Sequence, residues 1–310
     1  MAKIVTLTFS PAIDKSSTIA SLIPEKKMKC TNPKFEAGGG GINVARVIAK
    51  FDGDVVAVFP SGGYTGKYFN HLLEKEKVPI IAIDTKNDTR ENFVILEEST
   101  NKQFRFGMPS NELLEDEWKA CLSAIENLKN VDYIVASGSL PPGVPMNVYA
   151  QLSKIAKKIN AKFVVDTSGE ALKEAVDEGV FLLKPNLEEL GYLLGIENIE
   201  IQNIEKAAKE LILKNNCEII VISLGKDGAM LVTKNESHTV KPPKVDVKST
   251  VGAGDSMVAG LIYSLSKNNN LKNSLMYGIA CGTAATMNKG TELCKISDVE
   301  KIYNTLISKQ

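Results

Sequence analysis

The chain has 310 residues, of which 37 are Lys or Arg and 37 are Asp or Glu, so its net charge is zero. That balance excludes a nucleic-acid footprint or a polybasic membrane surface, and any attraction for a phosphorylated ligand must be local. With 44% hydrophobic residues the chain can bury a sizeable core. No apolar run reaches membrane-spanning length.

The start, from Lys3 to Thr8, reads as a strand and lacks the apolar stretch of a secretory signal. It ends in Phe9-Ser10-Pro11-Ala12-Ile13-Asp14, which sets Asp14 just past a strand's carboxyl end. Residues 18–35 read as irregular, with Lys26, Lys27 and Lys29 clustered on what is ordinarily a solvated face. The glycines Gly38 to Gly41 then lead into a helix that carries Asn43 in its first turns. Bare backbone there can lie against a ligand, and Asn43 offers both a donor and an acceptor. The pattern continues with strand 55–59, helix 65–77 and strand 80–83. A hairpin pairs 92–97 with 102–106, flanked by Arg90 and Arg105. Two such arginines commonly make surface ion pairs, and become phosphate ligands where they converge.

From residue 112 helices and buried strands alternate. Helices are expected over 112–128, 145–159 and 201–215, and strands over 132–136, 162–165, 180–183 and 218–222. Such alternation predicts a parallel α/β sheet. Polar residues gather just past the strand ends, where open α/β sheets bind ligands. They are Gly138-Ser139, Asp166, Lys184-Pro185-Asn186 and Ser223-Leu224-Gly225. Helices 255–266, 271–286 and 297–307 finish the chain, with no long linker or repeat.

The segment Thr250-Val251-Gly252-Ala253-Gly254-Asp255 opens an apolar helix. Its backbone N–H groups and positive dipole end suit an anion, and Asp255 sits at the rim where a hydroxyl proton could be taken. A plain glycine loop with an Asp cap would look the same locally. Other phosphate and cofactor motifs fail. Ser61 and Tyr68 spoil a P-loop at 62–67, and Asn43 stands where a dinucleotide fingerprint needs its last glycine. The histidines are His71 and His238, with no ligand spacing. The five cysteines are scattered without a Cys-x-x-Cys, which suits free thiols in a reducing cytoplasm.

Five stretches together resemble the ribokinase-like sugar kinases of the PfkB family from end to end. They are Gly38–Asn43, Ser137-Gly138-Ser139-Leu140-Pro141, Lys184-Pro185-Asn186-Leu187-Glu188-Glu189, Ser223-Leu224-Gly225-Lys226-Asp227-Gly228 and Ser249–Ser256. The resemblance implies one ribokinase-like domain over 1–310, with a three-layer α/β fold and a central, mostly parallel sheet. It also implies a small β-sheet lid from segments about 15–37 and 86–108, which often pairs with a second subunit. Asp255 would be the base, and Gly252, Ala253 and Gly254 the anion hole. Asp14, Gly39, Gly40 and Asn43 would hold sugar hydroxyls. Lys27, Arg90, Arg105 and Ser139 would hold a sugar phosphate. Lys184, Asn186, Ser223, Gly225, Gly228 and Asn288 would serve ATP, and Asn186 with Glu189 would organise Mg²⁺ largely through water. Ser249, Val251, Ala285, Asn288 and Gly290 match a loop that holds a monovalent cation such as K⁺, although Glu292 stands where a basic residue is expected.

Within that family, the glycine run and Ala284-Ala285-Thr286-Met287-Asn288-Lys289-Gly290-Thr291 are most similar to members acting on fructose 6-phosphate. The expected reaction is ATP-dependent transfer to O1, giving fructose 1,6-bisphosphate. Family members that use fructose 1-phosphate or tagatose 6-phosphate usually carry a lysine in the glycine run, where this chain has Gly40. Those two activities are the alternatives, and a catalytically silent sugar- or nucleotide-binding protein is a more distant one.

Overall fold

The computed structural model describes residues 2–214 and 217–308. Its first half contains β1 (Ile4–Leu7), β2 (Ala12–Ile19), β3 (Lys34–Gly38), α1 (Gly40–Lys50), β4 (Val55–Gly62), α2 (Gly63–Lys75), β5 (Ile80–Thr85), β6 (Arg90–Glu97) and β7 (Lys102–Phe106). Then follow α3 (Glu115–Glu126), β8 (Tyr133–Ser137), α4 (Val148–Lys158), β9 (Lys162–Asp166), α5 (Gly169–Glu178), β10 (Val180–Leu183) and α6 (Leu187–Leu194). The remainder is α7 (Ile204–Lys214), β11 (Cys217–Ser223), β12 (Ala229–Val232), β13 (Ser237–Val240), α8 (Ala253–Ser266), α9 (Leu271–Thr286) and α10 (Ile296–Ile307).

The main sheet runs β13-β12-β11-β10-β9-β8-β1-β4-β5. All pairings from β11 through to β5 are parallel, and β12 and β13 close one edge in antiparallel fashion. Strand alternation builds two cores, because successive side chains leave opposite faces. Val55, Ala57 and Phe59 of β4 join α1, α2, α8, α9 and α10 on one face. Val5 and Leu7 of β1, with Ile220 and Ile222 of β11, meet α3, α4 and α7 on the other. This is the three-layer α/β arrangement expected from the sequence.

A second sheet, β3-β2-β6-β7, stands apart. The expected hairpin is its β6–β7 half. Two expectations are corrected here. Asp14 lies inside β2 rather than in a loop past β1, and residues 18–35 contribute Thr18 and Ile19 to β2 and Lys34 and Phe35 to β3. The connection between them is irregular, as expected. The helix expected over 201–215 opens with a short 3-10 turn, Ile201–Asn203, and its last expected residue lies outside the described residues. Helix α5 and the β12–β13 hairpin were not expected. Among the described residues no helix is long and apolar enough to cross a membrane, and all five cysteines are free.

Candidate active site

Where β8 and β4 flank β1, the winding direction of the sheet reverses, and a crevice opens past the carboxyl ends of the strands. A polar cleft of about 330 Å³ occupies it, lined by Gly39, Gly40, Asn43, Ser139, Asp166, Glu189 and Asp255 among others. Gly40 is required there by close approach, since a Cβ at this position would strike the Ser137 hydroxyl. On the far side of residues 253–255 lies a second cavity of about 660 Å³. Ser223, Gly225, Gly228 and Lys184 line one part of it, and Val245, Val247, Met257 and Ile279 form an apolar slot. Thus Ala253 and Gly254 face the larger cavity, and Asp255 faces the polar cleft.

The local sequence explains that divide. Gly252 takes φ 70°, the left-handed region that costs glycine nothing, and turns the chain into α8. The first turn of a helix lacks intrahelical acceptors for its N–H groups. Here the Ala253 N–H meets the Thr250 carbonyl at 3.4 Å, and the 253–255 turn lies between the two cavities. Asp255 is half-buried, and Asn43 donates to its Oδ2 at 2.8 Å. Burial and the nearby Asp166 carboxylate push Asp255 up to about 6, against the Asn43 hydrogen bond and the Lys184 charge. Lys184 is itself buried and pairs with Asp166 at 3.1 Å. Burial opposes its charge, but Asp166, Glu189 and Asp255 outweigh burial and raise its pKa.

Asp166 was recognised in sequence only as a strand end. Its signal was available, a carboxylate just past a buried strand, but its partner Lys184 lies one strand away. The stretch from Pro242 to Val247, which walls the larger cavity, was also missed. Asn186 and Glu189 form a reciprocal cap on α6: Asn186 Oδ1 accepts from the Glu189 N–H and Glu189 Oε2 accepts from the Asn186 N–H, each at 2.8 Å. This accounts structurally for their spacing and leaves the Glu189 carboxylate on the cleft wall. Burial raises the Glu189 pKa, with that backbone hydrogen bond opposing it. Among the described residues no group of three or more His, Cys, Asp or Glu could hold a metal alone. Glu189 and Asp166 do offer hard oxygen donors beside the anion loop, a set that suits Mg²⁺ shared with water and phosphate.

The loop expected to bind a monovalent cation is assembled. Ser249 donates from its hydroxyl to the Gly290 carbonyl at 2.7 Å, and the Val251 N–H donates back to Ser249 Oγ. The Asn288 N–H meets the Ala285 carbonyl at 3.2 Å. The Asn288 amide donates to Ala284 and Leu293 carbonyls, so this residue braces the loop and does not line the larger cavity. Glu292 is paired with Lys295 and Lys34.

The small sheet is less complete as a binding surface. Asp14 accepts from Asn92 Nδ2 at 3.0 Å, and burial raises its pKa. Arg90 donates to the Met108 and Ser10 carbonyls while its Nε is buried with no partner among the described residues. Arg105 sits exposed on the edge strand, bonded to Gln103, and Lys27 lies exposed in the 20–33 connection. None of the three basic residues is in the lining of the polar cleft.

Residues 8–298 match the pfkB family carbohydrate kinases. This chain belongs to that family. It is 41% identical over 304 residues to the ATP-dependent 6-phosphofructokinase isozyme 2 of Escherichia coli, covering 98% of each chain. Solved structures of Escherichia coli phosphofructokinase-2 superpose on it over 99% of this chain and 100% of theirs. The one with potassium gives a TM-score of 0.95 at 41% identity. The one with fructose-6-phosphate gives 0.93 at 40%. Both cavities, the Gly252–Asp255 turn and the small sheet thus fall inside the region shared with these kinases.

Proposed function

We propose that this chain is an ATP-dependent kinase that phosphorylates O1 of fructose 6-phosphate, yielding fructose 1,6-bisphosphate. The observation that carries the reading is the placement of Asp255, its carboxylate facing a polar, sugar-sized cleft and its helix turn facing a nucleotide-sized cavity. Asp255 accepts the O1 proton as the oxygen attacks. The N–H groups of Gly252, Ala253 and Gly254 meet the charge that builds on the phosphoryl oxygens. Lys184 neutralises nucleotide phosphate, and Ser223, Gly225 and Gly228 receive the nucleoside side. Asp14, Gly39, Gly40 and Asn43 hold the sugar hydroxyls, while Lys27, Arg90, Arg105 and Ser139 take its phosphate. Glu189 and Asn186, with water, would hold Mg²⁺, which would supply neutralisation of phosphate charge. The Ser249–Gly290 loop, with Val251, Ala285 and Asn288, takes a monovalent cation such as K⁺, in keeping with the potassium-bound relative.

The small sheet is the lid that closes over the sugar and excludes water. Phe104 and Phe106 remain exposed on its edge strand, which favours a homodimer formed through the lid. Sedimentation of the purified chain tests this, and a monomer would overturn it. The reading places the enzyme in the cytoplasm, where sugar phosphates and ATP are found together.

A substrate panel at fixed Mg·ATP tests the acceptor. Fructose 6-phosphate is expected to exceed fructose 1-phosphate and tagatose 6-phosphate by roughly tenfold or more in kcat/KM, since a site that pairs substrate hydroxyls penalises a misplaced one. Arg90→Ala should erase that preference. If either rival leads, the specific acceptor is wrong while the kinase reading stands, and absence of ADP release with every sugar phosphate points to a silent binding protein. Glu189→Gln should raise the Mg²⁺ concentration needed for half-maximal rate, because glutamine can still cap α6 but carries no charge. An unchanged Mg²⁺ titration removes Glu189 from metal binding.

A further inference from the structure

Behind the cleft, Arg46 of α1 is almost fully buried, with 3% of its side chain exposed. Nothing in the phosphoryl-transfer scheme uses it. Its Nη1 donates to the Ala37 carbonyl at 2.6 Å and to Asn43 Oδ1 at 3.3 Å. Its Nε and Nη2 hold the Glu76 carboxylate of α2 in a fork, at 2.7–3.1 Å. Nη2 also lies 3.6 Å from Glu36 of the lid strand β3. Glu36 in turn accepts from the Thr291 hydroxyl at 2.7 Å and pairs with Lys34 at 3.2 Å. Burial disfavours the Glu36 charge, but Thr291, Arg46 and Lys34 together win and lower its pKa.

An asparagine amide has one acceptor end and one donor end, and a guanidinium can only donate. The end of Asn43 that meets Arg46 must therefore be its oxygen. That forces the NH₂ end outward, where it donates to Asp255 Oδ2. Without Arg46 the amide could turn over and set its oxygen against the carboxylate, a repulsive contact. We propose that Arg46 is a positioning residue for the base: it fixes the sense of the Asn43 amide, and its pairing with Glu36 and Glu76 ties that sense to the lid and to α2. The proposal rests on Asp255 being the base.

Arg46, Glu36 and Glu76 line neither the sugar cleft nor the nucleotide cavity, so an effect on chemistry without one on nucleotide affinity is the signature. Arg46→Lys keeps the charge but loses the fork and the fixed contact to Asn43. It should lower kcat by roughly 10–100-fold, the usual result of loosening a group that orients a catalytic one. KM for Mg·ATP should change less than about twofold. The acid limb of kcat/KM should move to higher pH, because Asp255 loses a donor that favours its charged form. The other charged groups facing Asp255, which are Asp166, Lys184 and Asp14, are unaltered by the substitution. The sugar phosphate titrates in the same range, so the difference between variants is the readout.

A double-mutant cycle with Asn43→Ala separates positioning from general damage. If Arg46 acts through Asn43, Arg46→Lys should cost little more once Asn43 is alanine. Should Arg46→Lys fail to fold, Arg46→Met combined with Glu76→Leu removes the buried guanidinium together with its half-buried carboxylate partner and can be measured in its place. A kcat within about threefold of wild type, or effects that multiply in the double variant, would overturn the proposal. Failure of the base assignment would show separately, as an Asp255→Asn variant that retains its rate.

Discussion

Asp255→Asn should leave a folded protein that binds nucleotide and turns over roughly 10²–10⁴ times more slowly, the range for losing a positioned proton acceptor. Asparagine keeps the shape and can still face Asn43, but cannot take the sugar hydroxyl proton. Stability should move the other way. The folded carboxyl sits at about 6 against an ordinary 3.8, so the folded state holds its proton more tightly than the unfolded chain does. Its contribution to folding is therefore most favourable below pH 4 and declines as pH rises to about 6, leaving a cost above that. Asparagine carries no such cost. Because the side chain is partly reached by solvent, the variant's melting temperature at pH 8 should rise by only a few degrees, about the effect of 1 kcal/mol or less in a chain of this size. A slow enzyme with a lower melting temperature would point to structural damage, and a kcat within about threefold of wild type would remove Asp255 from the chemistry.

Lys184→Met should be nearly as severe, for a different reason. Lys184 is the cation that interacts with the Asp166, Glu189 and Asp255 carboxylates, and it also walls the nucleotide cavity. Its removal leaves Asp166 without its ion pair, and losing one partner of a buried pair costs roughly 3–5 kcal/mol of stability. In turnover, the loss of a charge aimed at the phosphates should lower kcat/KM for Mg·ATP roughly 10²–10³-fold. The acid limb should also rise, since Lys184 lowers the Asp255 pKa. Lys184→Arg should recover part of the stability and little of the rate, because a planar fork cannot replace a compact ammonium at that spot. If Lys184→Met kept the wild-type KM for Mg·ATP and lost only stability, the residue would be structural.

Much of this site was legible in sequence because its chemistry is local. The turn at Gly252 and the carboxylate of Asp255 belong to one helix start, and a glycine run before Asn43 marks bare backbone wherever it folds. What was not legible depends on pairing across the fold. Asp166 is an ordinary strand end until Lys184 is brought beside it from the next strand. The Asn43 amide has no sense of direction in sequence, and gains one only between Arg46 and Asp255. Asn186 and Glu189 were read for their charge, yet the same spacing is a helix cap, and one motif can serve both. The β12–β13 hairpin escaped because Ser237-His238-Thr239-Val240 is a short edge strand with one buried residue, too weak a pattern to separate from a loop. Asp14 was misplaced because residues 14–18 of the strand holding it are all half-buried, without the clean alternation of a surface strand.

The small sheet has an unusual construction. Its two longest strands, residues 12–19 and 90–97, run parallel and pair along their whole length, while α1, β4, α2 and β5 intervene in the chain. A parallel pair cannot form by a local turn, so its register waits until the intervening segment has packed into the main core. The small sheet is thus completed only once the intervening elements have brought residues 90–97 back beside 12–19. A nascent or truncated chain that ends before residue 90 has a β2 with no parallel mate, and can neither shield a sugar phosphate nor present the edge strand on which subunits would meet. In a growing polypeptide, this sheet is thereby postponed until residues 90–97 have emerged and the segment before them has packed.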